Sequence, residues 1–331
     1  MWAAPIIVKE HLLMYYLGID LGGTNIAVGV VDEDCKIVAK VSSSTATENA
    51  EQIADAMAAT ARQALEKAGA TLNDVPWVGL GSPGTVNKAT GIIEYANNLP
   101  FLNTPMQKML SERLDGKPVY MENDANAAAF GEYMAGALKG AQVAMAITLG
   151  TGVGGGVIID GKIFSGSNFA GAELGHSVIV ADGWPCTCGR LGCWEAYASA
   201  TGLIKRTKMH MQDAPKGSAL WNQVGGDIDK VNGRTAFDAM RQGDPVGQKI
   251  VDEYIKYLSV GLINMINIFQ PNTLCVGGGV GNEGESLLAP MRAIVEKEQY
   301  GHNPEAATKI CKAQLGNDAG IIGAAMLGKE G

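Results

Sequence analysis

The sequence predicts a mixed α/β protein of two domains that face each other across a cleft. Three observations carry this expectation: a glycine-tipped strand pair at residues 15–32, a second copy at residues 146–160, and an apolar strand passing into an alanine-rich helix at residues 119–132. The 331 residues are 47% hydrophobic, enough to bury two substantial cores. The formal charge of -8, with no run of Lys or Arg, argues against a general nucleic-acid binder.

At the amino end, residues 1–16 are moderately apolar but include Lys9, Glu10 and His11, so they fit neither a membrane-spanning helix nor a signal peptide. A cytoplasmic protein with no membrane partner is the expectation. Patterned sequence starts at Tyr15, so residues 1–13 read as an extension ahead of a domain that begins at Met14.

The first strand pair turns at Gly22 and Gly23, where the backbone can approach a ligand closely and present N–H groups. Thr24 and Asn25 add side-chain donors, a combination suited to phosphate oxygens, and Asp20 is placed to hold a hydrated magnesium ion. Taken alone, these residues also describe a glycine hairpin that merely turns. The copy shifts the balance. Residues 146–160 align on 18–32 without gaps, sharing isoleucine, leucine, glycine and aspartate at matching places, so each half offers a loop to a shared nucleotide cleft. Thr148, Gly150, Thr151 and Gly152 form the second loop. Gly150, Gly152 and Gly155 satisfy a dinucleotide-binding spacing by letters, yet the run enters a strand rather than a helix, which rejects that reading. No P-loop occurs in either copy, leaving ATP held between paired glycine hairpins as the natural candidate.

Between the hairpins, Val119 through Met121 are strand-like, Glu122, Asn123 and Asp124 are polar, and the following alanines are helical. A carboxylate at such a junction can accept a hydroxyl proton as that oxygen attacks a γ-phosphorus, and Asp124 is the candidate base, with Asn123 orienting the same substrate. Asp124 is equally suited to cap the helix, and the two roles can coexist.

Cys186, Cys188 and Cys193 fall within eight positions, His176 lies ten residues before the first of them, and glycines fill the bends. Three thiolates and one imidazole suit tetrahedral zinc, with a disulfide as the lesser rival. Four protein ligands leave no open position, so the ion is read as structural, holding Glu195 and the polar loop at 171–176 together. Cys35, Cys275 and Cys311 stand apart in apolar surroundings and read as core thiols of a reducing compartment.

Further on, Asp244 and Pro245 open a helix whose apolar spacing runs through Val251, Ile255, Leu258, Leu262 and Ile266 to Gln270 and Pro271. The polar interval 213–232 reads as a loop, 273–280 as a strand running into glycines, and 317–328 as a helix returning to the first domain.

Together these residues resemble the ROK family of bacterial sugar kinases and repressors, from about Tyr15 onward. The zinc motif carries the resemblance most specifically: Gly175, His176, a spacer, then Cys186, Cys188, Gly189, Gly192, Cys193 and Glu195. The resemblance implies an actin-like ATPase fold of two ribonuclease-H-like domains, with ATP and magnesium in the cleft and a hexose beneath the γ-phosphate. It implies a smaller domain of residues 14–125 completed by a helix at 317–331, and a larger domain of 126–316 carrying the zinc site and helical insertions. Asp124 matches the family's base. By the same carry-over Asn98, Asn123, Asp124, Glu173, His176 and Glu195 hold sugar hydroxyls, Gly84 borders them, Gly278 and Gly279 approach the adenosine end of ATP, and the protein is a homodimer. One departure stands out: many members carry lysine after Gly-Gly-Thr, where this chain has Asn25.

Three function classes follow. A repressor needs a DNA-reading domain ahead of the first hairpin, but 17 residues precede Gly18. A sugar-binding module without catalysis needs neither base nor phosphate loops, and this chain has both. The expected function is therefore ATP-dependent phosphorylation of a hexose 6-hydroxyl, glucose first, with fructose, N-acetylmannosamine, N-acetylglucosamine and allose as other sugars and polyphosphate as another donor.

Overall fold

Apolar residues run almost unbroken through the strands Tyr16–Leu21 (β1) and Asn25–Val31 (β2), as they must in a sheet covered on both faces. In the computed structural model, which describes residues 14–45, 48–301, 303 and 306–330, these strands pair antiparallel and β2 continues to Ile37–Ser44 (β3). On its other side β1 pairs parallel with Val78–Ser82 (β4), and β4 with Val119–Asn123 (β8). The sheet order is β3-β2-β1-β4-β8. The expectation for residues 1–13 lies outside the described residues.

A second sheet repeats this plan. Val143–Leu149 (β9) pairs antiparallel with Val153–Ile159 (β10), which leads to Lys162–Ile163 (β11). The parallel neighbours of β9 are Thr273–Gly277 (β12) and then Lys309–Lys312 (β13), giving the order β11-β10-β9-β12-β13. Two sheets of one topology, each with an antiparallel hairpin beside parallel strands, make the actin-like fold with its paired ribonuclease-H-like halves. A small sheet of Thr85–Asn87 (β5), Ile92–Tyr95 (β6) and Leu102–Thr104 (β7) hangs from the first.

Helices cover the faces. Ala50–Ala68 (α1) presents Ile53, Met57, Ala61 and Leu65 to the first sheet, and Met106–Arg113 (α2) packs beside it. Asp124–Ala135 (α3) lies against β10 and against Ala319–Met326 (α11), whose eight residues are all buried. A helix apolar all round belongs inside, and its glycines and alanines let it lie close to β1, β4 and α3.

The second core gathers on Pro245–Phe269 (α8), where Asp244 accepts hydrogen bonds from Val246 N–H at 2.9 Å and Gly247 N–H at 3.1 Å. Around it pack Trp194–Ala198 (α4), Ala200–Met211 (α5), Thr235–Arg241 (α7) and Glu285–Glu298 (α10). Interval 213–232 is not a plain loop: Ala219–Gln223 (α6) forms there because Leu220 and Trp221 are drawn into this core. The glycines after β12 likewise open a short helix, Gly278–Gly281 (α9). All six cysteines are free: Cys275 is a core thiol as expected, and Cys35, in the β2–β3 turn at φ 62, and Cys311 pack half-buried against the same core, but Cys275 and Cys311 do not stand apart, since they pair across β12 and β13. No helix among the described residues is long and apolar enough to cross a membrane.

Candidate active site

Both glycine turns are closed by local hydrogen bonds. Gly22 N–H donates to the Asn25 carbonyl at 2.8 Å, and Thr45 Oγ1 donates to the Gly22 carbonyl at 2.8 Å. In the second turn Gly150 N–H donates to the Gly152 carbonyl at 3.0 Å, while Ala200 N–H, at the start of α5, donates to the Gly150 carbonyl at 2.8 Å. Gly22 and Gly150 thus spend their own N–H groups on the turns, leaving anion contacts to their neighbours.

The turns open on a cleft of about 710 Å³. Asp20, Thr148, Gly150, Gly152 and Gly278 line it, whereas Gly22, Gly23, Thr24, Asn25, Thr151 and Gly279 do not. Gly23 stands at its edge, where a Cβ would lie 3.5 Å from Asn98 Cβ. Gly84, Asn98, Asn123, Asp124, Glu173, His176 and Glu195 meet in the same cleft.

Local structure fixes each of these side chains. Asn123 caps α3, its Oδ1 accepting from Ala125 N–H at 2.9 Å and Asn126 N–H at 3.3 Å. The cap role expected of Asp124 therefore falls one residue earlier. Asn123 Nδ2 donates to the Gly84 carbonyl at 3.2 Å, so its amide joins β8 to the β4–β5 turn. Asp124, freed from capping, is the first residue of the helix, with Oδ1 accepting from Ala125 N–H at 2.9 Å. Glu195 follows the fully buried Trp194 and reaches back to β10, where Oε2 accepts from Val153 N–H at 3.0 Å. A Cβ on Gly152 would collide with that carboxylate. Gly152→Ala is expected to displace Glu195 and raise the KM of a substrate bound in this cleft about tenfold, the worth of a hydrogen bond to a charged group. An unchanged KM in steady-state kinetics would disprove this coupling.

Three carboxyls share the cleft, and the charge of one, Asp124, raises the other two. Burial first, then the Asp124 charge, push Asp20 up to about 6, against the opposing pull of Lys40. Burial raises Asp124, and burial followed by the Asp124 and Glu195 charges raises Glu173 against the pull of His176. Asp20 is accommodated only because Gly320 of α11 has no side chain: a Cβ there would lie 2.7 Å from the carboxylate. A folded carboxyl titrating near 6 binds its proton more tightly than the unfolded one, so stability falls as pH rises from about 4 to about 6. The cost above that window is at most about 3 kcal/mol. Asp20→Asn is expected to melt higher than the parent at pH 7.5, with the gap closing at pH 4; a variant that melts lower at both would refute the assignment.

Beside the cleft lies the metal-ligand cluster. Ligand atoms of His176, Cys186, Cys188 and Cys193 all fall within 4.8 Å of one another. Cys186 Sγ is 3.6 Å from His176 Nδ1 and Cys188 Sγ is 3.6 Å from Cys193 Sγ, close to the tetrahedron edges that Zn–S bonds of about 2.3 Å require and far beyond a disulfide. Burial, then the Cys188 and Cys186 thiols, push Cys193 up to about 12, so three thiolates can share this volume only around a cation. The donor set fits zinc, which when bound would tie the 186–193 turn to His176. The same turn meets Glu195, whose Oε1 accepts from Thr187 Oγ1 at 3.3 Å.

The ROK family model matches residues 16–330. The chain belongs to the ROK family. Glucokinases of Streptomyces coelicolor and Thermotoga maritima are each 38% identical to this ROK chain over 315 residues, 95% of the chain and 97% of the relative. A ROK family glucokinase from Streptomyces griseus, solved in complex with glucose and AMPPNP, superposes with a TM-score of 0.80 at 39% identity, covering 96% of this chain and all of that one. The ROK hexokinase of Thermus thermophilus superposes at 0.78 with 33% identity, covering 95% and 97%.

This ROK cleft also holds residues that sequence reading passed over. Thr85 and Tyr95 face it as paired residues of β5 and β6, and Asn97 lies one residue before Asn98. Phe169 and Ala172, at φ 61 and 62, are two non-glycine residues in the left-handed region within a single loop, where backbone strain concentrates at functional sites. The Gly, Ser and Asn content of residues 165–171 marks a loop, but nothing in it marks Phe169. Gly316, Asn317 and Gly320 line the cleft because α11 returns to β1.

Proposed function

We propose that this protein transfers the γ-phosphoryl group of ATP to the 6-hydroxyl of a hexose, with glucose as the preferred sugar. The observation that carries the reading is the Asp124 carboxylate, half-buried at the start of α3 in a cleft lined by Asp20 of the first hairpin and by Gly150 and Gly152 of the second. Glucokinase relatives spanning the whole fold, one of them holding glucose and AMPPNP, support it. In the transfer, a new O–P bond forms from the sugar hydroxyl as the bond to ADP breaks, and Asp124 accepts the hydroxyl proton. Asn98, Asn123, Glu173, His176 and Glu195 are the proposed partners of the sugar hydroxyls. Gly84 borders the sugar, and Thr148, Gly150, Gly152 and Gly278 border the nucleotide. Asp20 is the carboxylate that would hold hydrated magnesium, which when bound offsets the phosphate charge. Acids and amides gathered around a polyol fix its pattern, because a missing or inverted hydroxyl leaves one of them unpaired.

The two sheets are proposed as the cores of two domains, 14–125 with 317–331 and 126–316, that close on the substrates and shut out water. ADP release, measured with ATP or polyphosphate against glucose, fructose, N-acetylmannosamine, N-acetylglucosamine and allose, tests the whole reading. Glucose should give the highest kcat/KM; turnover with none of these sugars would reject it.

A further inference from the structure

One buried ionic cluster lies outside the cleft yet touches three of the segments that build it. Glu122, the residue before Asn123 on β8, is 1% exposed. Its carboxylate accepts from four donors. Oε1 takes Asn123 N–H at 3.0 Å and Asn126 Nδ2 at 3.1 Å, both beside the start of α3. Oε2 takes Lys88 Nζ, from the β5–β6 turn, at 3.1 Å and Ser165 Oγ, from the second half of the molecule, at 3.3 Å. Lys88 is shared: its ammonium also meets Glu330 at 3.1 and 3.2 Å, and Glu330 Oε1 accepts from Ile163 N–H at 3.0 Å. One lysine of the first half is therefore clamped between two carboxylates, and each of those carboxylates reaches across to the chain on either side of residue 164.

The placement of Ser165 gives the cluster its meaning. Ser165 is 5% exposed and begins the loop that ends at Glu173, and its carbonyl accepts from Gly171 N–H at 2.9 Å, which closes the loop's base. Glu122 thus holds the start of α3, where Asp124 stands, with one oxygen and the base of the loop carrying Glu173 with the other. A buried carboxylate with all its donors engaged is a rigid joint, since releasing any donor strands a polar group away from water.

We infer that Glu122, held by Lys88, is a positioning residue that keeps Asp124 on one half of the cleft in register with Glu173 on the other. The inference rests on the proposed kinase reaction. An error of about 1 Å between a base and the groups orienting its substrate can cost on the order of a hundredfold in rate. A loosened joint should therefore act on turnover and on the exclusion of water while leaving sugar binding largely intact.

The test compares the parent protein with E122Q, S165A, the double variant K88M/E122Q, and a surface control, K108A, whose lysine is 76% exposed. Each is measured for kcat, sugar KM, sugar phosphate formed per ADP released, and melting temperature. E122Q keeps the shape and one acceptor, so folding should survive; K88M/E122Q removes the Lys88–Glu122 pair together and leaves Glu330 its bond from Ile163 N–H, and the melting temperature reads what Glu330 loses with Lys88. The expected result is a kcat lowered about ten- to a hundredfold in E122Q and K88M/E122Q and several-fold in S165A, with KM within about threefold. The yield of sugar phosphate per ADP should fall in all three as water competes for the phosphoryl group, and K108A should match the parent. A yield equal to the parent's in E122Q and S165A, or a kcat loss that follows melting temperature alone, would overturn the latch. A parent that phosphorylates no hexose would instead defeat the kinase reading, and the latch with it.

Discussion

Asparagine in place of Asp124 is expected to lower kcat about a thousandfold, the contribution typical of a positioned base. The substitution is nearly isosteric, so the amide oxygen can still accept from Ala125 N–H, and Asn123 still caps the helix. What disappears is the site proposed to take the hydroxyl proton. Sugar affinity by calorimetry should stay within a few-fold of the parent while ADP release collapses; equal turnover in the two proteins would remove Asp124 from the chemistry. The parent's pH profile adds an independent sign. The base works only when ionised, and burial raises its carboxyl, so kcat/KM should fall on the acid side with a midpoint above the ordinary carboxylate range. A profile flat down to pH 4 would contradict this.

Removal of Cys193, a proposed zinc ligand, has the second largest expected effect. This thiol is fully buried and directly precedes Trp194 and Glu195, so its loss should free the amino end of α4. Cys193→Ser is expected to lose bound zinc, to melt lower by on the order of 10 °C, as several kcal/mol of lost ligation requires, and to bind sugar more weakly. Metal content, melting temperature and sugar titration measure the three. Because the ligands stand beside the cleft rather than across the reacting atoms, kcat at saturating sugar should fall less than in Asp124→Asn. A zinc-free variant with unchanged melting and unchanged sugar affinity would refute a structural metal.

Much of this architecture is written locally. Both hairpins are legible because glycines interrupt strand-like runs, and their duplication is legible because one gap-free alignment covers both. Helix α8 is legible from Asp244, Pro245 and its apolar period. Where reading failed, the deciding partner was distant in the chain. The cap fell to Asn123 because the backbone turns one residue earlier than the helical pattern suggests, with the Gly84 carbonyl fixing that amide. Residues 219–223 became helical because α7 and α8 offer Leu220 and Trp221 a core. Lys88 and Glu122 are 34 positions apart and Lys88 and Glu330 are 242 apart, so no window of sequence holds the cluster. Phe169 escaped notice because its left-handed backbone is set by the loop that closes around it.

The buried helix α11 has a consequence for the order in which the molecule is made. Its residues cover β1 and β4, strands formed from the earliest part of the described chain. A ribosome therefore releases the first sheet long before the helix that seals one of its faces exists. Until residues 319–326 emerge, the face of the first sheet that carries Tyr16, Ala27 and Val31 stays unsealed, and the first half can collapse but not finish folding. The second sheet and its helices are complete sooner after their own synthesis. In the order of translation the amino-terminal half is begun first and closed last.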